Sequence, residues 1–255
     1  MDSGVSVMDA EELFRRYAAG ERDFVGVDLR GADLSGAVWE DTSDRPVGGA
    51  DLSGINLMGA KLSQTRLVNV NLSNANLSHA YLYDADLSFA NLSGADLRDA
   101  NLPGANMFGA NLSGADLRAV YSCDAEMGES NFSGANLEDA DLRDSSMESA
   151  NFTGANLKNV RLDSTLLERA NFSGANLSGV DLYACGIDGA IFKGANLSNA
   201  RLEGTPSLAG LDLTDVNLTG AWDADVDGAI LCNTTMPDGT IASNDNDCRG
   251  GSAIG

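Results

Sequence analysis

The side chains able to do chemistry are sparse, and their spacing assigns them to structure rather than to a reaction. His79 is the one histidine in the chain and has no second His or Cys at ligand spacing, so it reads as a surface residue rather than a zinc ligand. The run Asp223-Ala224-Asp225-Val226-Asp227-Gly228 opens like a calcium loop, yet Thr234 stands at the twelfth position, where that loop needs a bidentate glutamate. No Ser–His pair, glycine-rich phosphate loop or apolar carboxylate dyad occurs in the sequence. No catalytic, metal-binding or cofactor-binding residue is therefore assigned, and the chain is read as a non-enzyme without a cofactor.

The four cysteines divide by position. Cys185 stands where a small inward residue is expected and reads as a buried filler, whereas Cys123 falls at an outward turn. Cys232 and Cys248 bracket Met236-Pro237-Asp238-Gly239, and a disulfide closing that loop would stabilise the C-terminal end by about 3 kcal/mol. A reducing cytosol opposes such a bond, so both redox states stay open.

These residues are positioned by a period of five that keeps one phase from Leu52 to Leu202: a small residue, Asp or Asn, Leu or Phe, a Ser-like residue, a Gly-like residue. Ala75-Asn76-Leu77-Ser78 and Asn131-Phe132-Ser133-Gly134 show its two versions. A period of five matches neither a helix nor a long strand. The small residue and the Leu or Phe lie two apart, so both face inward from a short extended segment while the Asp or Asn faces water, and Ser-Gly supplies a turn. The chain must coil on itself as an all-β solenoid.

Four sides per coil follow from the columns at a spacing of twenty, which read Leu52, Leu72, Leu92, Leu112, Phe132, Phe152, Phe172, Phe192 in one case and Met107, Met127, Met147 in another. A third column is leucine without a break from Leu57 to Leu197. A spacing of fifteen would scatter the phenylalanines over several sides. Phe24, Leu29, Leu34 and Trp39 make a first coil, and the thirteen residues from Trp39 to Leu52 leave residues 43–49 to bulge as a loop. Beyond Leu202 the phase slips at Thr205-Pro206 and again before Leu231. Roughly ten coils at about 4.8 Å each make a rod on the order of 50 Å long.

Asp9 and Glu12 form a capping box, Met8 and Leu13 a hydrophobic staple, and Gly20 a stop, which predicts an amphipathic helix over residues 9–19. Leu13, Phe14 and Tyr17 are expected to plug the first coil. The organisation is thus residues 1–22 as an N-terminal capping helix, 23–240 as the β-helix and 241–255 as an irregular C-terminal cap.

The repeat over residues 23–240 resembles the pentapeptide repeat proteins, and this resemblance implies a right-handed, quadrilateral β-helix. Glu12-Leu13-Phe14-Arg15-Arg16-Tyr17-Ala18-Ala19-Gly20 before the first coil and Met236-Pro237-Asp238-Gly239-Thr240 after the last are similar to cyanobacterial members. Among those members is a regulator of heterocyst differentiation, so the resemblance implies a signalling or developmental role. Other members protect gyrase by mimicking DNA.

A net charge of −22 on 255 residues, 43% of them hydrophobic, argues against nucleic-acid or anionic-membrane binding and toward basic partners. No apolar stretch approaches membrane-spanning length, and Met1 to Ser6 lacks the features of a signal peptide, so a cytoplasmic monomer is expected. The acids are patterned: Asp84, Asp124 and Asp144 fall at one corner beside Asp86 and Glu126, and Asp99, Asp139, Asp141 and Asp181 near another. The outward positions of sides three and four break the repeat with Lys61, Arg66, Tyr81, Tyr83, Phe108, Tyr121, Leu166 and Tyr183. These residues are the candidate interaction surface of a protein-binding scaffold. The alternative is a DNA mimic that engages a DNA-handling enzyme such as gyrase through charge alone.

Overall fold

The period of five is set by backbone hydrogen bonding, as the unit Asn71 to Ala75 shows. The Asn71 N–H donates to the Ala50 carbonyl of the preceding coil at 3.0 Å, and the Asn71 carbonyl accepts from Leu52 at 2.7 Å. Leu72 and Asn74 donate onward to Asn91 and Ser93 of the following coil, at 2.7 and 2.9 Å. Ala75 closes the turn on the Leu72 carbonyl at 3.0 Å. The remaining donor, the Ser73 N–H, turns back to the Asn71 side-chain oxygen at 3.2 Å. Every amide of the unit is paired, as backbone packed inside a solenoid requires, and only Asp or Asn at the second position supplies the last acceptor.

The computed structural model describes residues 8–38, 50–204 and 208–243. Trp39, the expected loop at 43–49, Thr205-Pro206 and Cys248 lie outside the described residues. Within them, the unit stacks by parallel one-residue bridges at a spacing of twenty, Asn71 on Asn91 and Asn91 on Asn111. Each side therefore contributes a single bridging residue per coil, here called a rung, in place of an extended strand. Side one runs from Asp23 and Asp51 through Asn71 and Asn171 to Ile191, and side two from Asp28 through Asn76 and Asn196 to Thr235. Side three contains Lys61, Tyr81, Tyr121, Asp141, Arg161 and Trp222, and side four Arg66, Asp86, Glu126 and Leu166.

The inward columns form one core. Phe132, Phe152, Phe172 and Phe192 are buried and stack with ring centroids 4.9, 5.0 and 5.2 Å apart and planes within 8° of parallel. The coil rise, about 4.8 Å, imposes this near-sandwich geometry on rings that would otherwise offset. Met107, Met127 and Met147 are likewise buried. Near the C-terminal end the register changes: Asn196 pairs with Asn217 and Arg201 with Trp222, then Asp212 with Ile230 and Asn217 with Thr235. Both slips read from the sequence are thus present in the pairing.

The Asp or Asn position differs from expectation in one respect. It is half-buried rather than free in water, because Asn91, Asn111, Asn131 and Asn151 each donate a side-chain N–H to the residue one coil back, at 3.1 to 3.2 Å. Side two carries the same ladder through Asn156, Asn176, Asn196 and Asn217.

Helix α1 spans Ala10–Ala18, with Asp9 as N-cap accepting from the Glu12 N–H at 2.8 Å. The reciprocal half of the expected capping box is replaced by an ion pair, since Arg15 binds the Glu12 carboxylate. Leu13 is fully buried against the first coil and Tyr17 packs on the core, 6.5 Å from Phe24. Phe14 is only partly covered, 38% exposed, because a helix this short turns one stripe inward. At the other end, strands β1 (Thr234–Thr235) and β2 (Ile241–Ala242) pair antiparallel, so regular pairing reaches Ala242, inside the segment expected to be irregular. Cys232 is in a disulfide.

Candidate functional site

On sides three and four the rung residues depart from Asp and Asn, and the backbone registers the loss. Tyr81 and Tyr121 cannot accept from the Tyr83 and Cys123 N–H groups, which have no acceptor among the described residues. An absent hydrogen bond of this kind costs about 0.5–1.5 kcal/mol. Tyr81, Tyr83 and Tyr121 are all exposed and lie within two coils of one another on side three, roughly 10 Å along the rod.

The other candidates are not brought into that patch. Phe108 lies at the opposite edge of side four, where it meets Phe89 edge-on at a centroid distance of 5.7 Å. Leu166 is exposed on side four three coils further on. Tyr183 is five coils from Tyr83, roughly 24 Å, where Arg201 stacks on its ring at 5.5 Å. Lys61 is bound to Asp33 at 3.2 Å. Arg66 bridges Asp86 on side four, at the start of the rod.

Two exposed aromatics escaped the sequence reading. Phe89 occupies a corner position that is usually Gly, Asn or Asp, with φ at +58°, and is 55% exposed. Its ring lies where a Cβ on Gly109 would stand, 2.7 Å away, and Phe108 covers Gly128 in the same manner. The signal was a bulky residue in the Gly-like position followed by glycine one coil on. Trp222, 74% exposed on side three, was hidden by the phase slip.

The acidic corners have a backbone cause. Asp84, Asp99, Asp124, Asp139 and Asp144 all have φ between +53° and +60°, a left-handed conformation that Asp and Asn tolerate better than other side chains. Asp86 and Glu126 are instead side-four rungs. Charges on sides two and three are largely compensated: Arg98 and Arg118 bind Asp96 and Asp116 at 2.6 and 2.7 Å, Arg143 and Arg161 bind Asp141, and Arg201 binds Asp181 at 3.2 Å. The arginine hydrogen bonds hold the Asp96 and Asp116 carboxyls below the usual carboxylate range. Burial pushes Asp141 up, but hydrogen bonds from Arg143 and Cys123 outweigh it and leave that carboxyl lowered.

Cys123 is buried rather than outward, its thiol 3.4 Å from the Asp141 carboxylate; the third turn residue tucks beneath the next coil, as Ser78 and Ser88 do. Cys185 is buried as expected and donates to the Leu162 carbonyl at 2.8 Å. Burial pushes its thiol up to about 12, so it is inert as a nucleophile at neutral pH. His79 stands 4.0 Å from Asp99 at an exposed corner. In the calcium-like run, Asp225 accepts from the Asp227 N–H at 3.1 Å, the same turn that asparagine rungs such as Asn71 make.

Comparison with known families matches the description "Pentapeptide repeats" at residues 23–43, 50–88, 85–120 and 187–220, and "Pentapeptide repeat region" at residues 122–192. The chain belongs to the pentapeptide repeat family. The right-handed quadrilateral β-helix of these proteins is the architecture whose four bridge columns are described above. Among solved structures, the chain is similar to HetL, a pentapeptide repeat protein involved in heterocyst differentiation regulation from the cyanobacterium Nostoc sp. strain PCC 7120, at 32% identity and TM-score 0.59, over 92% of this chain and 100% of HetL. A trypsin-treated form of QnrB1, a plasmid-mediated fluoroquinolone resistance protein, matches at 21% identity and TM-score 0.35, over 71% of this chain and 90% of that one. A pentapeptide repeat protein from the Arabidopsis thaliana thylakoid lumen matches at 28% identity and TM-score 0.31, over 41% of this chain and 66% of that one. No match was found among curated proteins.

The arrangement presents a set of exposed surfaces along a pentapeptide repeat rod. Among the described residues no three His, Cys, Asp or Glu side chains converge as a metal site, and no helix is long and apolar enough to cross a membrane. A shallow groove of about 350 Å³ lined by Ser35, Lys61, Ser63 and Tyr81 lies at the start of side three.

Proposed function

We propose that this pentapeptide repeat protein is a non-enzymatic protein-binding scaffold, a rod of about ten coils closed at its first coil by α1, that presents sides three and four to a protein partner. It acts as a cytoplasmic monomer and binds neither nucleic acid nor membrane. One observation carries the reading: the exposed aromatics of the rod, Tyr81, Tyr83, Phe89, Phe108, Tyr121, Tyr183 and Trp222, all belong to sides three and four or the turns that follow them. The tyrosine rungs also forgo a turn hydrogen bond that Asn would make, which a drifting surface has no reason to do. Aromatic side chains of this kind are the usual anchors of protein interfaces. Similarity to HetL over its full length supports a regulatory role.

The test is a pull-down from native lysate at low and moderate salt with the wild type and a Tyr81→Ala/Tyr121→Ala variant. A partner held at moderate salt and lost with the variant is the expected result. Exposed charges are screened within about 10 Å at 0.1 M salt, so a DNA-binding protein released by salt and indifferent to the variant would favour DNA mimicry instead.

A further inference from the structure

The edge of side four combines an exposed aromatic pair with carboxylates that are not ion-paired among the described residues. Phe89 and Phe108 form a T-shaped pair, 55% and 37% exposed, held flat on the rod by Gly109 and Gly128 of the next coil. Immediately along the rod stand Glu126, a side-four rung, and the turn residues Glu129 and Glu148. None of the three is ion-paired among the described residues. The acidic rungs of sides two and three, by contrast, are each bound by an arginine or lysine two residues or one coil away.

We infer that this edge is a docking site for a basic polypeptide segment that carries an apolar anchor: one aliphatic or aromatic side chain seats against Phe89 and Phe108, and lysines or arginines one to two coils further meet Glu126, Glu129 and Glu148. The inference rests on the scaffold reading and adds the chemistry of its partner. Charge selects the occupant. A second copy of this chain carries −22 and is repelled, as are nucleic acid and anionic lipid, whereas a basic segment is steered in and its apolar anchor is desolvated on the ring pair. The backbone supports a built surface, because Phe89 is held at φ +58°, where a non-glycine residue is strained.

The experiment titrates labelled full-length protein with a short amphipathic lysine/leucine peptide, and with its glutamate/leucine counterpart as control, at low and moderate salt. Expected is binding of the lysine peptide alone, weakened about tenfold or more by Phe89→Ser/Phe108→Ser. The variant Glu126→Gln/Glu129→Gln/Glu148→Gln is expected to weaken binding and flatten its salt dependence. A control triple, Asp223→Asn/Asp225→Asn/Asp227→Asn, removes the same charge far from the ring pair and should bind like wild type. Equal loss in the two charge variants, or unchanged binding by the phenylalanine variant, overturns the inference. Thermal melting of each variant checks that it folds. In the lysate pull-down, a partner retained by Phe89→Ser/Phe108→Ser but lost with Tyr81→Ala/Tyr121→Ala would sink this site and leave the scaffold standing; a wild type that captures nothing would sink the scaffold itself.

Discussion

Side one and side three are built on the same coil and end with opposite surfaces. On side one, six consecutive rungs from Asn71 to Asn171 are asparagine, each turn is capped by its rung, and five of those asparagines are tied into a side-chain ladder. Behind them the phenylalanines stack. On side three the rungs mix tyrosine, asparagine, acid, lysine, arginine and tryptophan, ion pairs replace amide ladders, and the inward column is broken by buried Ser122 where leucine otherwise stands. The Ser145 hydroxyl inserts into that turn, donating to the Ser122 carbonyl at 3.0 Å and accepting from the Ala125 N–H at 3.1 Å. A repeat fold can therefore concentrate cohesion on some sides and leave the outward positions of the others free to vary.

The sharpest way to break the contrast is to open the stack behind side one. Phe152→Ala leaves a void between two rings and is expected to destabilise by about 3–5 kcal/mol, read as the midpoint of thermal or denaturant unfolding. A loss under about 1 kcal/mol would mean that neighbouring coils collapse into the space. Next comes the ladder itself. Asn131→Asp keeps the turn acceptor but removes the donor to the Asn111 oxygen, so a loss of about 1–2 kcal/mol is expected at neutral pH, shrinking in acid as the new carboxyl regains a proton to donate. An unchanged melting point would show that the ladder contributes nothing.

The ion-paired rungs make a pH prediction of definite sign. Asp96 and Asp116 titrate lower in the folded chain than in the unfolded one, so the folded state binds fewer protons as acid is added. Their contribution is complete above the ordinary carboxyl range near 4 and is lost as the pH falls through the depressed values. Melting temperature should hold from neutral to about pH 5 and drop below about 4, with a smaller drop in Arg98→Gln/Arg118→Gln, which is already weakened at neutral pH. The smallest effect separates binding from folding. Tyr81→Asn or Tyr121→Asn restores the missing turn acceptor and should raise stability by about 0.5–1 kcal/mol while abolishing partner capture. Unaltered capture would mean that the tyrosines are not the recognition surface.

Much of the fold was legible because a period of five leaves one way to satisfy the backbone. The columns at a spacing of twenty, the two phase slips and the inward side chains could all be read by counting. The candidate surface was legible only as a set of deviations. Tyr81, Tyr83 and Tyr121 do cluster, but Leu166 and Tyr183 stand apart, and Phe89 was overlooked because its place in the unit is nominally a turn. Cys123 was misplaced for a related reason: whether a third-position side chain projects or tucks under the next coil depends on the neighbour one coil on, here Asp141.

The sequence by itself determined the coil, its four sides and the identity of the core columns, since those follow from local hydrogen-bond demand repeated without interruption. Tertiary structure alone decided that the asparagines link side chain to side chain, that Arg161 and Arg201 reach the aspartates one coil back on side three while Glu126, Glu129 and Glu148 at the edge of side four stay unpaired among the described residues, and that Phe89 and Phe108 form one patch. Those features arise between residues about twenty positions apart, where side-chain reach and rotamer choose the partner, and no pattern within a single unit encodes that choice.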